Sequence, residues 1–245
     1  MSEQRKVPKL RFPEFTDDWE RRELSEVAEK VTAKNSKLEF NETFTNSAEQ
    51  GIISQKDFFD HKVASSDNIG NYYVVEQDDF VYNPRISTTA PVGPINRNRL
   101  GRAGVMSPLY TVFKTKGVNV LFLEWYFKSS CWHTFMFFNG DSGARSDRFS
   151  IKDSVFFSMP LLLPSLEEQN KVGLFLDSIN RTITLHQRKC EVLKKLKKGL
   201  LQKYSPKMGP TSQKLDFLNL LTLGNSVSLM ISLNIYHIIP YLETI

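Results

Sequence analysis

The stretch SLEEQNKVGLFLDSINRTITLHQRKCEVLKKLKKGLLQK, residues 165–203, decides how this chain is organised. Val172, Leu176, Ile179, Ile183, His186, Cys190, Leu193, Lys197 and Leu200 recur in it at alternating steps of four and three. That rhythm is a heptad seam, the pattern of a helix that lies against another helix. Pro164 and Ser165 precede it, and Ser165 with Glu168 has the spacing of a capping box. Pro206, Gly209 and Pro210 close it. A helix of this length runs to about 58 Å, which suits a spacer better than a domain helix. The chain has no second run of this kind, so the seam predicts a partner outside it.

The rest of the 245 residues is ample for one domain, with 40% hydrophobic residues and 18 Phe to build a core. The first nine residues are polar and charged, with no secretory hydrophobic run. Cys131 and Cys190 lie far apart and form no metal-binding or redox motif. A reduced, cytoplasmic protein is the expectation. The net charge of +5 hides a sharper division. Residues 1–79 sum to −6, residues 80–150 to +6 and residues 165–207 to +6. Two basic blocks call for a polyanion, and nucleic acid is the natural one.

The order of signals predicts an α+β fold. A short amphipathic helix is expected over 23–31. Short strand-like runs follow, such as Tyr72–Val75, Phe80–Tyr82 and Tyr110–Phe113, broken by Gly, Pro, Asn and Asp. A buried aromatic helix is expected over 121–138 and a last apolar strand over 155–163. The predicted organisation is a mixed short-strand domain over 1–163, a spacer helix of coiled-coil type over 164–205, and an apolar tail over 206–245. No charged residue occurs from Phe217 to Leu242, but Asn219, Asn225, Asn234, His237 and Pro240 argue against a membrane span.

Catalytic signatures are missing. Gly140–Asp141–Ser142–Gly143 has the look of a chymotrypsin-like nucleophile loop, but Ala144–Arg145 follows and His61 and His133 lack that family's surroundings. Tyr82–Asn83–Pro84–Arg85 approaches the motif of amino-methyltransferases, yet no Gly-rich cofactor loop accompanies it. No enzyme activity, metal or bound cofactor is expected of this chain.

Loops rich in Arg and Asn are present instead. One carries Asn83, Arg85, Asn96, Arg97, Asn98, Arg99 and Arg102 without a single Lys over 80–105. A second carries Arg145, Ser146 and Arg148. Arg chelates guanine O6 and N7, and Asn pairs with adenine N6 and N7, so such loops suit base reading in the major groove. Lys, a point charge, suits phosphates better. The candidate DNA-binding residues are Asn83, Arg85, Asn96, Arg97, Arg99, Arg102, Arg145, Ser146 and Arg148. The candidate helix-pairing residues are Val172, Leu176, Ile179, Ile183, His186, Cys190, Leu193 and Leu200.

Three segments resemble the specificity subunit of type I restriction–modification systems. They are Val7-Pro-Lys-Leu-Arg-Phe-Pro-Glu-Phe15 with Asp18–Trp19–Glu20 and Leu24, Met106-Ser-Pro-Leu-Tyr110, and Leu163-Pro-Ser-Leu-Glu-Glu-Gln169 continuing through Leu176–Asp177 to Leu200–Leu201–Gln202. The resemblance spans about 1–205. It implies a target-recognition domain that reads one half of a split double-stranded DNA site, followed by a spacer helix. It implies methyltransferase subunits that use S-adenosylmethionine, motor-nuclease restriction subunits, and no catalysis in this chain. Full-length relatives carry the unit twice and pair their two helices antiparallel. Here the Leu–Arg–Phe–Pro opening occurs once, at Leu10–Pro13, so a half-length form is expected. Acidic residues near the helix start and Lys and Arg near its end favour an antiparallel homodimer or pairing with a second half-subunit. The alternative is a truncated coiled-coil interaction protein without productive DNA binding.

Overall fold

A computed structural model describes residues 8–58, 66–142 and 147–204. The chain divides into two compact units, Met1–Ser178 and Ile179–Ile245. The first unit is built on a four-stranded antiparallel sheet in the order Ala28–Lys30, Thr111–Thr115, Phe80–Tyr82, Ile95–Arg97. Its register sets Phe80 opposite both Phe113 and Arg97. Four strand pairs surround it. Glu20–Glu23 joins Pro160–Leu163, Phe44–Ser47 joins Gly51–Ser54, Tyr73–Val75 joins Gly104–Met106, and Asp141–Ser142 joins Phe149–Ser150. The fold is α+β, as the mixture of short strand and helix signals predicts.

The core is aromatic because the strands are short. Strands of three to five residues offer few inward positions, and large rings fill the volume with the fewest of them. Phe80 stacks on Phe113 at 5.6 Å between ring centroids, and Phe127 meets both edge-on. Tyr82 stacks on Phe156 at 5.0 Å, and its hydroxyl donates to the Val92 carbonyl at 2.9 Å. Leu24 and Val27 are fully buried in the same cluster. A second cluster gathers Phe44, Val75, Val81, Met106 and Val112 on the other face of the sheet.

Three local expectations change. The helix expected over 23–31 is only Leu24–Val27, and Ala28–Lys30 is a strand paired with Phe113–Thr115. One turn capped by Glu23 and Glu26 has little stability of its own, so the sheet edge wins the following residues. The helix expected over 121–138 is two, Val120–Lys128 and His133–Asn139. Ser129 ends the first: its Oγ donates to the Tyr126 carbonyl at 2.6 Å, competing with the helical ladder. Trp132 then turns into the core and donates Nε1 to the Phe127 carbonyl at 3.0 Å. The strand expected over 155–163 is Pro160–Leu163 alone, because Asp153–Phe157 forms a short helix that buries Phe156.

The long helix runs from Leu166 to Tyr204 and carries residues of both units. Ser165 caps it, its Oγ accepting from the Glu168 N–H at 3.3 Å. Its first turns belong to the first unit. There the buried residues are Glu168, Gln169, Gly173 and Asp177, and Val172 of the seam packs against the aromatic core. A Cβ on Gly173 would lie 2.9 Å from the Phe122 nitrogen and 3.0 Å from Leu121 Cβ, so only glycine allows this closeness. Among the described residues no helix is long and apolar enough to cross a membrane. The 206–245 tail lies outside the described residues.

Candidate nucleic-acid interface

The opening motif of the sequence closes onto the start of the long helix. Arg11 donates Nε and Nη2 to the two carboxylate oxygens of Glu168 at 2.8 and 2.7 Å, and Trp19 Nε1 donates to the same group at 3.3 Å. Hydrogen bonding to Glu168 raises the Arg11 pKa above its ordinary value. Phe12 meets Phe175 edge-on at 5.7 Å, and Lys171 lies over the Phe12 ring at 4.7 Å. Two motifs 157 positions apart in sequence therefore form one joint.

The arginines of the 80–105 block divide into two groups. The Arg97 side chain is only 9% exposed, donating Nε to Glu124 Oε2 at 2.8 Å and pairing with Asp78. Arg99 donates Nε to Glu124 at 2.8 Å and Nη2 to Asp177 at 2.8 Å. Burial works against the Arg99 charge, but hydrogen bonds to Asp177 and Glu124 outweigh it and raise its pKa. Arg102 forks onto both oxygens of Glu42 at 2.6 and 2.7 Å and holds that carboxyl below its ordinary range. Asn83 donates to the Asn46 carbonyl at 2.8 Å, and Asn96 donates to Asn46 Oδ1 at 2.8 Å and to the Ser47 carbonyl at 3.1 Å. Asn46 is buried and donates in turn to the Val81 carbonyl at 2.7 Å. These side chains hold the loops to the sheet and to the helix.

Arg85 stands in the other group. It is 71% exposed, and its ion pair to Asp147 is long at 3.8 Å. The structure brings it to the second candidate loop. Arg85 and Arg148 form an antiparallel bridge, the Ile86 N–H donates to the Asp147 carbonyl at 3.0 Å, and the Phe149 N–H donates to the Pro84 carbonyl at 2.7 Å. Arg145 and Ser146, between the paired strands Asp141–Ser142 and Phe149–Ser150, lie outside the described residues. A cleft of about 440 Å³ is lined by Gln50, Asn96, Lys128, Trp132 and His133 among others. Burial lowers the His133 pKa. Among the described residues no cluster of His, Cys, Asp and Glu is placed to hold a metal.

Glu124, Asp177, Asn46 and Glu168 organise the site, and none stands among the sequence candidates. Glu124 carried a signal: it is the only charge in the apolar run Val120–Phe127, and a carboxylate there needs a buried cation. Of the seam, Ile179, Ile183, His186, Cys190 and Leu193 are exposed, and Leu176 and Leu200 half-buried.

Against known families, residues 16–195 match the type I restriction modification DNA specificity domain. The chain belongs to that family. No curated protein matches it. Among solved structures, a chain from the "complex assembly" and "conformational transition of the type I R-M system" superposes with a TM-score of 0.51 and 14% identity, over 83% of this chain and 53% of that one. The HsdS subunit from Thermoanaerobacter tengcongensis superposes with a TM-score of 0.49 and 15% identity, over 79% and 51%. At 14% identity the first likeness speaks for the fold. The specificity-domain chain spans about half the length of these structures.

Proposed function

We propose that this specificity domain reads one half of a bipartite duplex site and directs methyltransferase and restriction subunits to it. The observation that carries this reading is the meeting of the Arg85 and Arg148 loops in a member of a DNA specificity family. Arg85, Arg148 and the neighbouring Arg145 and Ser146 are the leading candidates for DNA contact. Arg97, Arg99, Arg102, Asn83 and Asn96 serve the reading by fixing loop geometry, because their donors are held by the protein itself. This chain performs no chemistry in the scheme. A methyltransferase partner carrying S-adenosylmethionine transfers the methyl group.

The exposed part of the seam supplies the second half of the scheme. Ile183 and Leu193 stay about half exposed at 49% and 51%, a cost that helix pairing removes. Exposed Glu167 lies at the helix start and Lys194, Lys195, Lys197 and Lys198 crowd its end, where a parallel pair would set like charges side by side, which favours an antiparallel partner, either a second copy or a second half-subunit.

The test is duplex selection from a random-sequence pool by the full chain, alone and with its methyltransferase. Recovery of a defined half-site, with affinity falling as salt rises, supports the reading, since neutralised phosphates release counterions. Arg85→Ala is expected to weaken or relax that selectivity. Recovery of no sequence preference in either setting overturns it.

A further inference from the structure

Two consecutive aromatic side chains at the end of the His133–Asn139 helix stand in water. Phe138 is 85% exposed and Phe137 is 55% exposed. In a chain that buries Phe44, Phe80, Phe113 and Phe156 almost completely, this is a costly arrangement for the folded protein. Nothing in the core requires it. The helix stops directly after them, where the Gly140 N–H donates to the Met136 carbonyl at 2.8 Å. Gly140 lies against the Phe149 ring, with no room for a Cβ. Phe137 meets the same ring edge-on at 6.3 Å. Phe149 in turn is held to Pro84 through its backbone N–H, with Arg85 and Arg148 bridged alongside. The aromatic pair, the hairpin and the two Arg-bearing loops thus form one connected rim.

The form of this patch selects its occupant. It is a projection of two rings, not a broad face. A stable protein interface needs roughly 800 Å² on each partner, and one fully buried aromatic side chain supplies about 150–250 Å². The rim carries Arg85 and Arg148 beside Asp141 and Asp147; the Arg85–Asp147 pair is long at 3.8 Å and leaves the Arg85 side chain open to an anion. A projecting ring joined through Phe137 and Phe149 to the segment that carries Arg85 and Arg148 matches the way apolar wedges enter between base steps while cations hold nearby phosphates.

We propose that Phe138, on the helix end that Phe137 and Gly140 seat against Phe149, inserts against a base step of the bound duplex and partly unstacks it. This gives the domain a shape-dependent reading in addition to base-edge contacts, because flexible pyrimidine–purine steps open most readily. The proposal rests on the duplex-reading function above, and its test separates the two.

The probe is a duplex selected on the full chain, carrying 2-aminopurine at successive positions. Wild-type protein is expected to raise the fluorescence of the analogue at one step. Phe138→Ala is expected to abolish that rise and weaken binding roughly 5- to 100-fold, the range for loss of a base–aromatic stack. The salt dependence should stay as it was, since the ring neutralises no phosphate. Phe138→Trp should restore both signals. Arg85→Ala is expected to reduce the salt dependence and keep the local fluorescence rise. Phe138 is exposed, so Phe138→Ala should melt at the wild-type temperature. Phe138→Ala that binds within about twofold of wild type, with the same fluorescence profile, overturns the wedge and leaves the duplex-reading function standing. Unchanged DNA binding with loss of methyltransferase co-purification assigns the rings to a protein contact and also overturns it. A wild-type chain with no duplex selectivity overturns both.

Discussion

Residues 166–178 of the long helix bury Glu168, Gln169, Gly173 and Asp177, whereas residues 179–204 leave Ile183, Leu193 and Leu201 about half exposed. The contrast runs against the usual rule, because the packed part buries polar groups and the open part shows apolar ones. In the packed part each buried charge has a built partner: Arg11 and Trp19 on Glu168, and Arg99 on Asp177. In the open part the lysines and most of the seam residues face water. One helix therefore has two characters, a packed start held by hydrogen-bond geometry and an open remainder that carries a half-exposed apolar stripe.

The hardest way to break the packed side is through its carboxylates. Glu124→Ala strips Arg97, Arg99 and Lys128 of a shared partner while the Arg97 side chain stays largely buried. Removing one member of a buried ion pair costs about 3–5 kcal/mol, so a large drop in chemical-denaturation stability is expected. A wild-type curve would mean that water reaches this network freely.

Asp79 sharpens the contrast through pH. Burial pushes its pKa up to about 6, against a partial offset from the Glu76 N–H hydrogen bond at 2.8 Å and from nearby Lys114. The folded state therefore holds this proton more tightly than the unfolded chain does. Its favourable contribution is full below about pH 4 and is lost as pH rises through about 6. Asp79→Asn keeps an acceptor for Glu76 and removes the charge. Denaturation at about pH 7.5 should show a gain of about 1–3 kcal/mol that vanishes near pH 4. A gain of equal size at both pH values would rule out ionisation as its cause.

The two glycines of the helix supply a single substitution with opposite signs. Gly173→Ala forces a methyl against Phe122 and Leu121 and should cost about 1–3 kcal/mol. A Cβ on Gly199 would meet nothing within 4 Å, so Gly199→Ala should gain about 0.5–1 kcal/mol of helix stability. Thermal melts followed at the helical circular-dichroism band would report both, and equal signs would dissolve the distinction between the two parts. The smallest effect on folding is expected from Ile183→Ser with Leu193→Ser. The melting transition of the first unit should stay in place while sedimentation shows loss of self-association or of the partner half-subunit. A monomeric wild type that pairs with no partner would remove the seam's meaning.

Much of this was legible from residues. The heptad rhythm, Pro164 and Ser165 locate the start of the helix closely, because those signals are local. The strand Phe80–Tyr82 is as expected, since an apolar run between turn residues has few other fates. Val155–Leu163 misled because an apolar run does not distinguish one helical turn from a strand when neither is long. The linear charge count misled more deeply. The +6 of residues 80–150 counts Arg97, Arg99 and Arg102 as free, yet Asp78, Glu42 and Asp177, all outside that block, meet them. Sequence distance concealed those pairs, and the side chain left most exposed of the four, Arg85, is distinguished only by its place in the fold.

The joint between Arg11 and Glu168 has one more consequence. Glu20–Glu23 pairs with Pro160–Leu163 just inside it, so the polypeptide enters and leaves the recognition unit at one place. Everything between is held like a cassette between two matched clasps. A segment of different sequence could replace it only if it also brought a partner for Asp177, as Arg99 does, and a surface like Leu121–Phe122 against Gly173. The ends are thus fixed by these clasps, while the segment between them carries its own share of the grip on the helix.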